Sequence, residues 1–219
     1  MMKAIIFDFD GTLANTLPIC YYSFQSVFKE FDNRDLSPEE IRAMFGPSET
    51  GIIKENLIHL HKEQAIELYY EKYLEKHAHL VKFNSEMDDL LRFLKENGFK
   101  LGIVTGKARR SLEISLKALQ MDNLFDVIIT GDDVIDPKPH PEGILKALTL
   151  LELQKEDAIF VGDSEADIAA GISAGVLTIG VHWLEDYQTA EFITQPNQIM
   201  KEIKHFKQMI NEFTIQNGF

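Results

Sequence analysis

Short, almost wholly apolar runs recur along the chain: Ala4–Phe9, Leu101–Val104, Val127–Ile129, Ala158–Val161 and Val176–Val181. Each is rich in Ile, Val or Phe, and each ends near Gly, Asp or Thr. Runs of this length without polar alternation predict strands buried on both faces, as in a parallel sheet. Between most of them, apolar residues return at helical spacing. Leu112, Ser115, Leu116 and Leu119 do so within Ser111–Leu119, and Ile144, Leu145, Leu148 and Leu151 within Glu142–Leu151. Alternating strand and helix predicts an α/β fold with right-handed crossovers.

One segment breaks the alternation. From about residue 15 to 81 no strand pattern is present, and the periodicity predicts helices over Ile19–Phe31, Pro38–Phe45, Thr50–His59 and Lys62–His79. Ser37-Pro38-Glu39-Glu40 reads as a helix start, with Ser37 as N-cap and Pro38 at the first helical position. A helical block inserted after the first strand reads as a separate cap, giving a core of 1–14 and 82–219 and a cap of 15–81. At the far end, Met200, Ile203, Phe206, Ile210 and Phe213 share one face of a predicted helix that packs on the core.

Composition narrows the classes. The 219 residues suit one domain with a modest insertion, and 45% hydrophobic with 26% charged residues is ordinary for a globular protein. A net charge of −13 removes any general attraction to nucleic acid or an anionic membrane. The single cysteine, Cys20, allows no intramolecular disulfide, which points to a reducing cytoplasm. No run of roughly 18 apolar residues exists to span a membrane. Asp8 and Asp10 interrupt the first apolar stretch too early for a signal peptide.

The first predicted strand ends in two carboxylates, in Phe7-Asp8-Phe9-Asp10-Gly11-Thr12-Leu13. Alternation along a strand leans Asp8 and Asp10 to one side. Two like charges in a small space are relieved by a proton or a cation, and a hard oxygen-binding ion such as Mg2+ suits them. Three further stretches follow later strands: Val104-Thr105-Gly106-Lys107, Lys138 between Pro137 and Pro139, and Gly162-Asp163-Ser164-Glu165-Ala166-Asp167. In a parallel sheet all four ends lie along one edge, where ligands bind. They would bring carboxylates, a hydroxyl and a cation to one place, a set that matches a phosphate beside a metal.

With DFDGTL, VTG, KP and GDSEAD in this order, the sequence resembles the haloacid dehalogenase superfamily of phosphohydrolases over nearly its whole length. Within it the chain looks closest to the phosphoglycolate phosphatases and bacterial pyrophosphatases, a branch with a helical first-type cap. The resemblance implies a three-layer Rossmann-like core with a mostly parallel sheet and an inserted all-helical cap. It implies Asp8 as nucleophile, forming an acyl phosphate, and Asp10 as general acid and base. Thr105 and Gly106 would bind the phosphate, and Lys138 would neutralise charge beside it. Asp8, the Asp10 carbonyl and Asp163 would hold Mg2+, with Asp167 in its outer shell. Asp167 also fits a capping box with Ser164, so both readings stand.

The expected activity is Mg2+-dependent hydrolysis of a small phosphorylated metabolite such as phosphoglycolate, by a monomer or homodimer. Pyrophosphate hydrolysis, a phosphosugar mutase and a catalytically silent regulatory protein on the same fold are the alternatives. Lys107, Arg109 and Arg110 read as solvated or near the mouth of the site, and Arg42 and Lys54 in the cap read as solvated, with contact to a substrate anion as the alternative. The pairs His59/His61 and His77/His79 sit two apart, which on a helix directs them to nearly opposite sides.

Overall fold

The computed structural model describes residues 2–216. Among them six strands form one sheet: β1 (Ala4–Phe7), β2 (Lys100–Val104), β3 (Val127–Ile129), β4 (Ala158–Gly162), β5 (Leu177–Val181) and β6 (Gln198–Met200). The order is β3-β2-β1-β4-β5-β6, with every neighbouring pair parallel. The strand order reverses at β1, and the crevice beyond that point is where a doubly wound sheet binds ligands.

Directly after β1 comes a block of four helices, α1 (Leu17–Asp32), α2 (Pro38–Arg42), α3 (Glu49–Asn56) and α4 (Lys62–Leu80). Phe24 on α1 meets Tyr69 on α4 with ring centroids 4.6 Å apart, at the centre of the block. The start of α2 is as the sequence predicts. Ser37 accepts a hydrogen bond from the Glu40 amide, and the Glu40 carboxylate accepts one from the Ser37 amide.

The remaining helices are α5 (Ser85–Glu96), α6 (Arg109–Ala118), α7 (Glu142–Leu151), α8 (Glu165–Ala174) and α9 (Ile203–Gln216). Side chains of β1 alternate between two apolar layers. Ile5 and Phe7 join Leu90 and Leu94 of α5, Leu112 of α6 and Phe206 of α9. Ala4 and Ile6 join Ile144 and Leu148 of α7 and Ala170 of α8. The result is a helix–sheet–helix sandwich, of the α/β class that the alternation predicts and with the three layers that the resemblance implies. Small residues let α8 lie close to the sheet: a Cβ on Gly171 would fall 2.4 Å from Thr178 Oγ1 on β5.

Several boundaries differ from expectation. The first strand ends at Phe7, not Phe9, because the Phe9 carbonyl accepts from the Leu13 and Ala14 amides and turns the chain. Helix α2 stops at Arg42 and α3 at Asn56, so His59 lies off the helix and its ring sits 5.0 Å from that of His61. Helical spacing therefore does not separate this pair. His77 and His79, on α4, do face opposite ways, one buried and one exposed. Helix α5 is not among the predicted elements, although Asn84 caps it by accepting from the Glu86 and Met87 amides. Strand β6 is also unpredicted, and Met200 belongs to it; α9 begins at Ile203.

The seam between α4 and α6 carries a buried polar knot. Ser115 on α6 is 2.8 Å from the Tyr73 hydroxyl and 2.9 Å from His77 Nε2, while His77 Nδ1 has no partner among the described residues. Burial, aided by the Lys107 ammonium, lowers the His77 pKa from 6.5 to about 4. Below 6.5 the unfolded chain takes up a proton that the folded chain refuses. The seam is therefore at full strength above pH 6.5 and weakens as pH falls toward 4, losing at most about 1.4 kcal/mol for each pH step of one. Urea unfolding should show stability dropping between pH 7 and 4.5, and His77→Leu should flatten that slope. An unchanged slope would assign the acid sensitivity to other groups.

Candidate active site

The site forms where the carboxyl ends of β1, β2 and β4 meet the loop before α7. Asp8 is the first residue after β1, held in register by its amide, which donates to the Val161 carbonyl at 2.8 Å. Thr105 follows β2 in the same way, its amide donating to the Ile129 carbonyl at 3.0 Å. Asp163 follows β4, and Lys138 projects from the loop between β3 and α7. All four sit at one edge because parallel strands end together.

Three carboxylates converge there. One oxygen each from Asp8, Asp163 and Asp167 lies within 4.8 Å of the others, and all three residues are buried. Lys138 Nζ donates to Asp8 Oδ1 at 2.7 Å and also to Asp167 Oδ1. Asp163 Oδ1 accepts from the Thr12 hydroxyl at 3.0 Å and Asp163 Oδ2 from the Gln188 amide at 2.6 Å. Asp167 Oδ2 accepts from Ser164 N and Oγ at 2.9 and 2.6 Å. The capping-box reading of Asp167 is thus realised with the same side chain that meets Lys138. Gly11 has φ +85°, and a Cβ there would lie 2.3 Å from Asp163 Oδ2, so glycine is required both by the turn and by the space.

These surroundings shift the titrations. Burial pushes the Asp8 carboxyl up to about 7 against the opposing pull of Lys138, with Asp167 adding to the rise. Asp163 is raised well above the usual carboxylate range by burial first, then by Asp167 and Asp8. Burial opposes the charge on Lys138, but Asp167 and Asp8 outweigh it and its pKa rises. One lysine among three buried carboxylates leaves negative charge in excess, and Asp8 Oδ2 has no hydrogen-bond partner among the described residues. A cluster of hard oxygen donors with one oxygen unpartnered fits a Mg2+ ion.

Asp10 lines the same cavity as Asp8, and its charge adds to the rise of the Asp8 pKa, but its carboxylate is not one of the three that converge. The strand stops at Phe7, so two-residue alternation no longer governs position 10. Its carboxylate accepts from the Thr16 hydroxyl at 2.5 Å and pairs with Lys107 Nζ at 3.1 Å. Its backbone carbonyl accepts from Gln188 Nε2 at 3.2 Å. Thr105 is buried with its Oγ1 accepting from the Lys107 amide, and Thr105 and Gly106 both line the cavity over Asp8.

Lys107 is the largest departure from the sequence reading. Its side chain is 0% exposed, lies 3.2 Å from Glu49 Oε1 at the start of α3, and stands 4.6 Å from the centre of the Tyr73 ring. Burial works against its charge, but Asp10, with Cys20, Tyr73 and Glu49, raises its pKa well above the ordinary lysine value. Arg109 and Arg110 do lie outward, paired with Asp133 and Glu67 at 2.6 and 2.7 Å. Arg42 bonds the Tyr21 hydroxyl and Lys54 pairs with Glu63. Glu49 and Gln188 are site residues that the sequence reading missed, and it placed Lys107 only as solvated or near the mouth of the site. Only Lys107 carried a signal, standing directly after the Thr105-Gly106 pair.

Comparison with known proteins agrees with this geometry. Residues 5–181 match the family model described as haloacid dehalogenase-like hydrolase. A curated relative, Pyrophosphatase PpaX from Bacillus mycoides, is 37% identical over 183 residues, covering 83% of this chain and 84% of the relative. Among solved structures, a predicted phosphoglycolate phosphatase from Haemophilus somnus superposes with a TM-score of 0.83 at 24% identity, over 95% of this chain and 98% of that one. CbbY from Rhodobacter sphaeroides in complex with phosphate gives 0.81 at 25% identity, over 93% and 95%. A parallel sheet with acidic strand ends and a family match over most of the chain define a hydrolase. The chain belongs to the haloacid dehalogenase-like hydrolases. No helix among the described residues is long and apolar enough to cross a membrane.

Proposed function

We propose that this chain is a Mg2+-dependent phosphatase that hydrolyses a small phosphomonoester, of about the size of phosphoglycolate, through an aspartyl phosphate on Asp8. The observation that carries this reading is the buried Asp8, with one oxygen on Lys138 and the other unpartnered, at the floor of a cavity that Thr105 and Gly106 also line.

An Asp8 carboxylate oxygen attacks phosphorus, and the bond from phosphorus to the leaving oxygen breaks. Asp10 gives its proton to that oxygen. Water then attacks the phosphorus of the acyl phosphate, Asp10 takes a proton from it, and Asp8 is released with inorganic phosphate. Lys138 neutralises charge between Asp8 and the phosphate, while the Thr105 hydroxyl and Gly106 amide hold its oxygens. Asp8, Asp163 and the Asp10 carbonyl would hold Mg2+, with Asp167 beside them. Bound there, the cation would screen the repulsion between carboxylate and phosphate. Residues 15–81 act as a cap domain over a core of 1–14 and 82–219, shedding water before attack.

Relatives named as pyrophosphatases at 37% identity support a second reading, with pyrophosphate as substrate. Phosphate release measured over a panel of phosphorylated metabolites, including phosphoglycolate, sugar phosphates and pyrophosphate, tests the proposal. Mg2+-dependent release from at least one member is expected, abolished by chelation. No release from any member by folded protein would refute it.

A further inference from the structure

The half of the cavity away from Asp8 bears on what the leaving group can be. The cavity holds about 270 Å3, room for a phosphoryl group and a leaving group of a few heavy atoms. Its cap side is formed by the apolar Leu17, Phe24, Phe45 and Ile52, by the Cys20 thiol and by one carboxylate, Glu49. Two cations line it, Lys107 and Lys138. Both are already committed. Lys138 sits between Asp8 and Asp167, and Lys107 between Asp10 and Glu49 at 3.1 and 3.2 Å.

Glu49 is itself fixed. It is 5% exposed, accepts from the Ser111 hydroxyl at 2.5 Å, and also accepts from the Ala108 amide at the start of α6. It therefore stays in place when a ligand enters, and it holds Lys107 on the side of Asp10. Around the leaving group stand the Lys107 ammonium, the Glu49 carboxylate and the proton donor Asp10, with Thr105, Ser164 and Gln188 as neutral polar residues on the lining. No cation among the described lining residues is left over to receive a second anion, and burying an unpaired anion against apolar walls is costly.

Resting on the phosphatase reading above, the geometry points to Glu49 as a specificity-determining residue that selects a phosphomonoester with an uncharged, partly apolar leaving group and rejects anionic ones, whether a carboxylate or a second phosphoryl group. The selection is a difference between substrates and arises mainly from the unmatched charge in the rejected one. Glycerol 1-phosphate, phosphoglycolate and inorganic pyrophosphate form a series of leaving groups that are neutral, singly charged and multiply charged.

The experiment compares kcat/KM for those three compounds at saturating Mg2+, in the wild type and in Glu49→Gln and Glu49→Asp. In the wild type, glycerol 1-phosphate is expected to exceed pyrophosphate by about tenfold or more, the scale of one uncompensated charge in a partly buried site. Glu49→Gln leaves Lys107 with a spare positive charge, so the ratio should narrow by roughly fivefold or more, mainly through KM. Glu49→Asp keeps the charge and should keep the ratio. A residue that merely latches cap to core would lower all three substrates together, and an unchanged ratio in Glu49→Gln would overturn its role in selection. Pyrophosphate or phosphoglycolate preferred by the wild type would overturn the inference while leaving the phosphatase reading intact, whether or not the variants fold. Hydrolysis of none of the three, nor of any other phosphorylated compound, would refute the phosphatase reading and this inference with it.

Discussion

Asp8→Asn is expected to abolish turnover, by more than about 10⁴-fold, and yet not to weaken the metal-free fold at neutral pH. The amide cannot attack phosphorus, so no acyl phosphate forms. The effect on stability follows from the raised pKa. An ordinary carboxyl titrates near 3.8, whereas buried Asp8 titrates near 7 without a cation. The folded chain thus binds this proton more tightly than the unfolded chain. Its contribution is fully present below 3.8 and is lost as pH rises through 7, a change on the order of a few kcal/mol. Asparagine stays neutral and avoids that loss, at the expense of the Lys138 pair. In EDTA at pH 8 the variant should melt at or above the wild type. Added Mg2+ should raise the wild-type melting temperature more than that of the variant, since a ligand that binds the folded state stabilises it by mass action. A variant melting well below the wild type in EDTA would show that the Lys138–Asp8 pair outweighs the burial of the charge.

The parts of the molecule that are legible in the sequence share a local cause. Strands buried on both faces leave short, continuous apolar runs, and β1 to β5 all announce themselves that way. Strand β6 does not, because it is a short edge strand with Gln198 exposed and no apolar run to mark it. Helix α5 has Met87, Leu90, Leu91 and Leu94 at helical spacing, but it follows α4 directly, with no strand between, and so falls outside the strand–helix alternation. Asp8, Thr105, Lys138 and Asp163 are foreseeable together because each follows a strand, and a parallel sheet gathers such positions without further information. The side of the cavity lined by α1 and α3 is opaque for the opposite reason. Glu49 and Lys107 meet from distant parts of the chain, and although Lys107 stands directly after Thr105-Gly106, no period or motif pairs it with Glu49. Only the packing of α3 against the start of α6 makes them partners. The orientation of the Asp10 side chain is equally hidden, because it depends on where a strand hydrogen-bonding pattern stops.

Asp10→Asn separates the two aspartates by their dependence on the leaving group. The variant keeps the Asp8 nucleophile and the Asp10 backbone carbonyl, and Asn can still accept from the Thr16 hydroxyl that now bonds Asp10 Oδ1. What it loses is the proton, worth about 10²–10⁴-fold in rate for a positioned general acid. An alkoxide needs that proton to leave, whereas an activated aryl oxide departs with little help. The loss in kcat should therefore be large on an alkyl phosphate and small in the first step on a nitrophenyl ester. The same carboxylate takes the proton from the attacking water in the second step. With the activated ester, attack on Asp8 would then outrun hydrolysis, and a phosphorylated enzyme should accumulate, detectable by rapid quench as a burst of nitrophenol and by mass as one added phosphoryl group. The position of Asp10 supports this division. It stands between Thr16, just before α1, and Lys107, outside the Asp8–Asp163–Asp167 group, so its removal need not disturb the cluster that would hold the metal. Equal losses on both esters with no trapped intermediate would assign Asp10 to positioning and leave the proton transfers to water or another group.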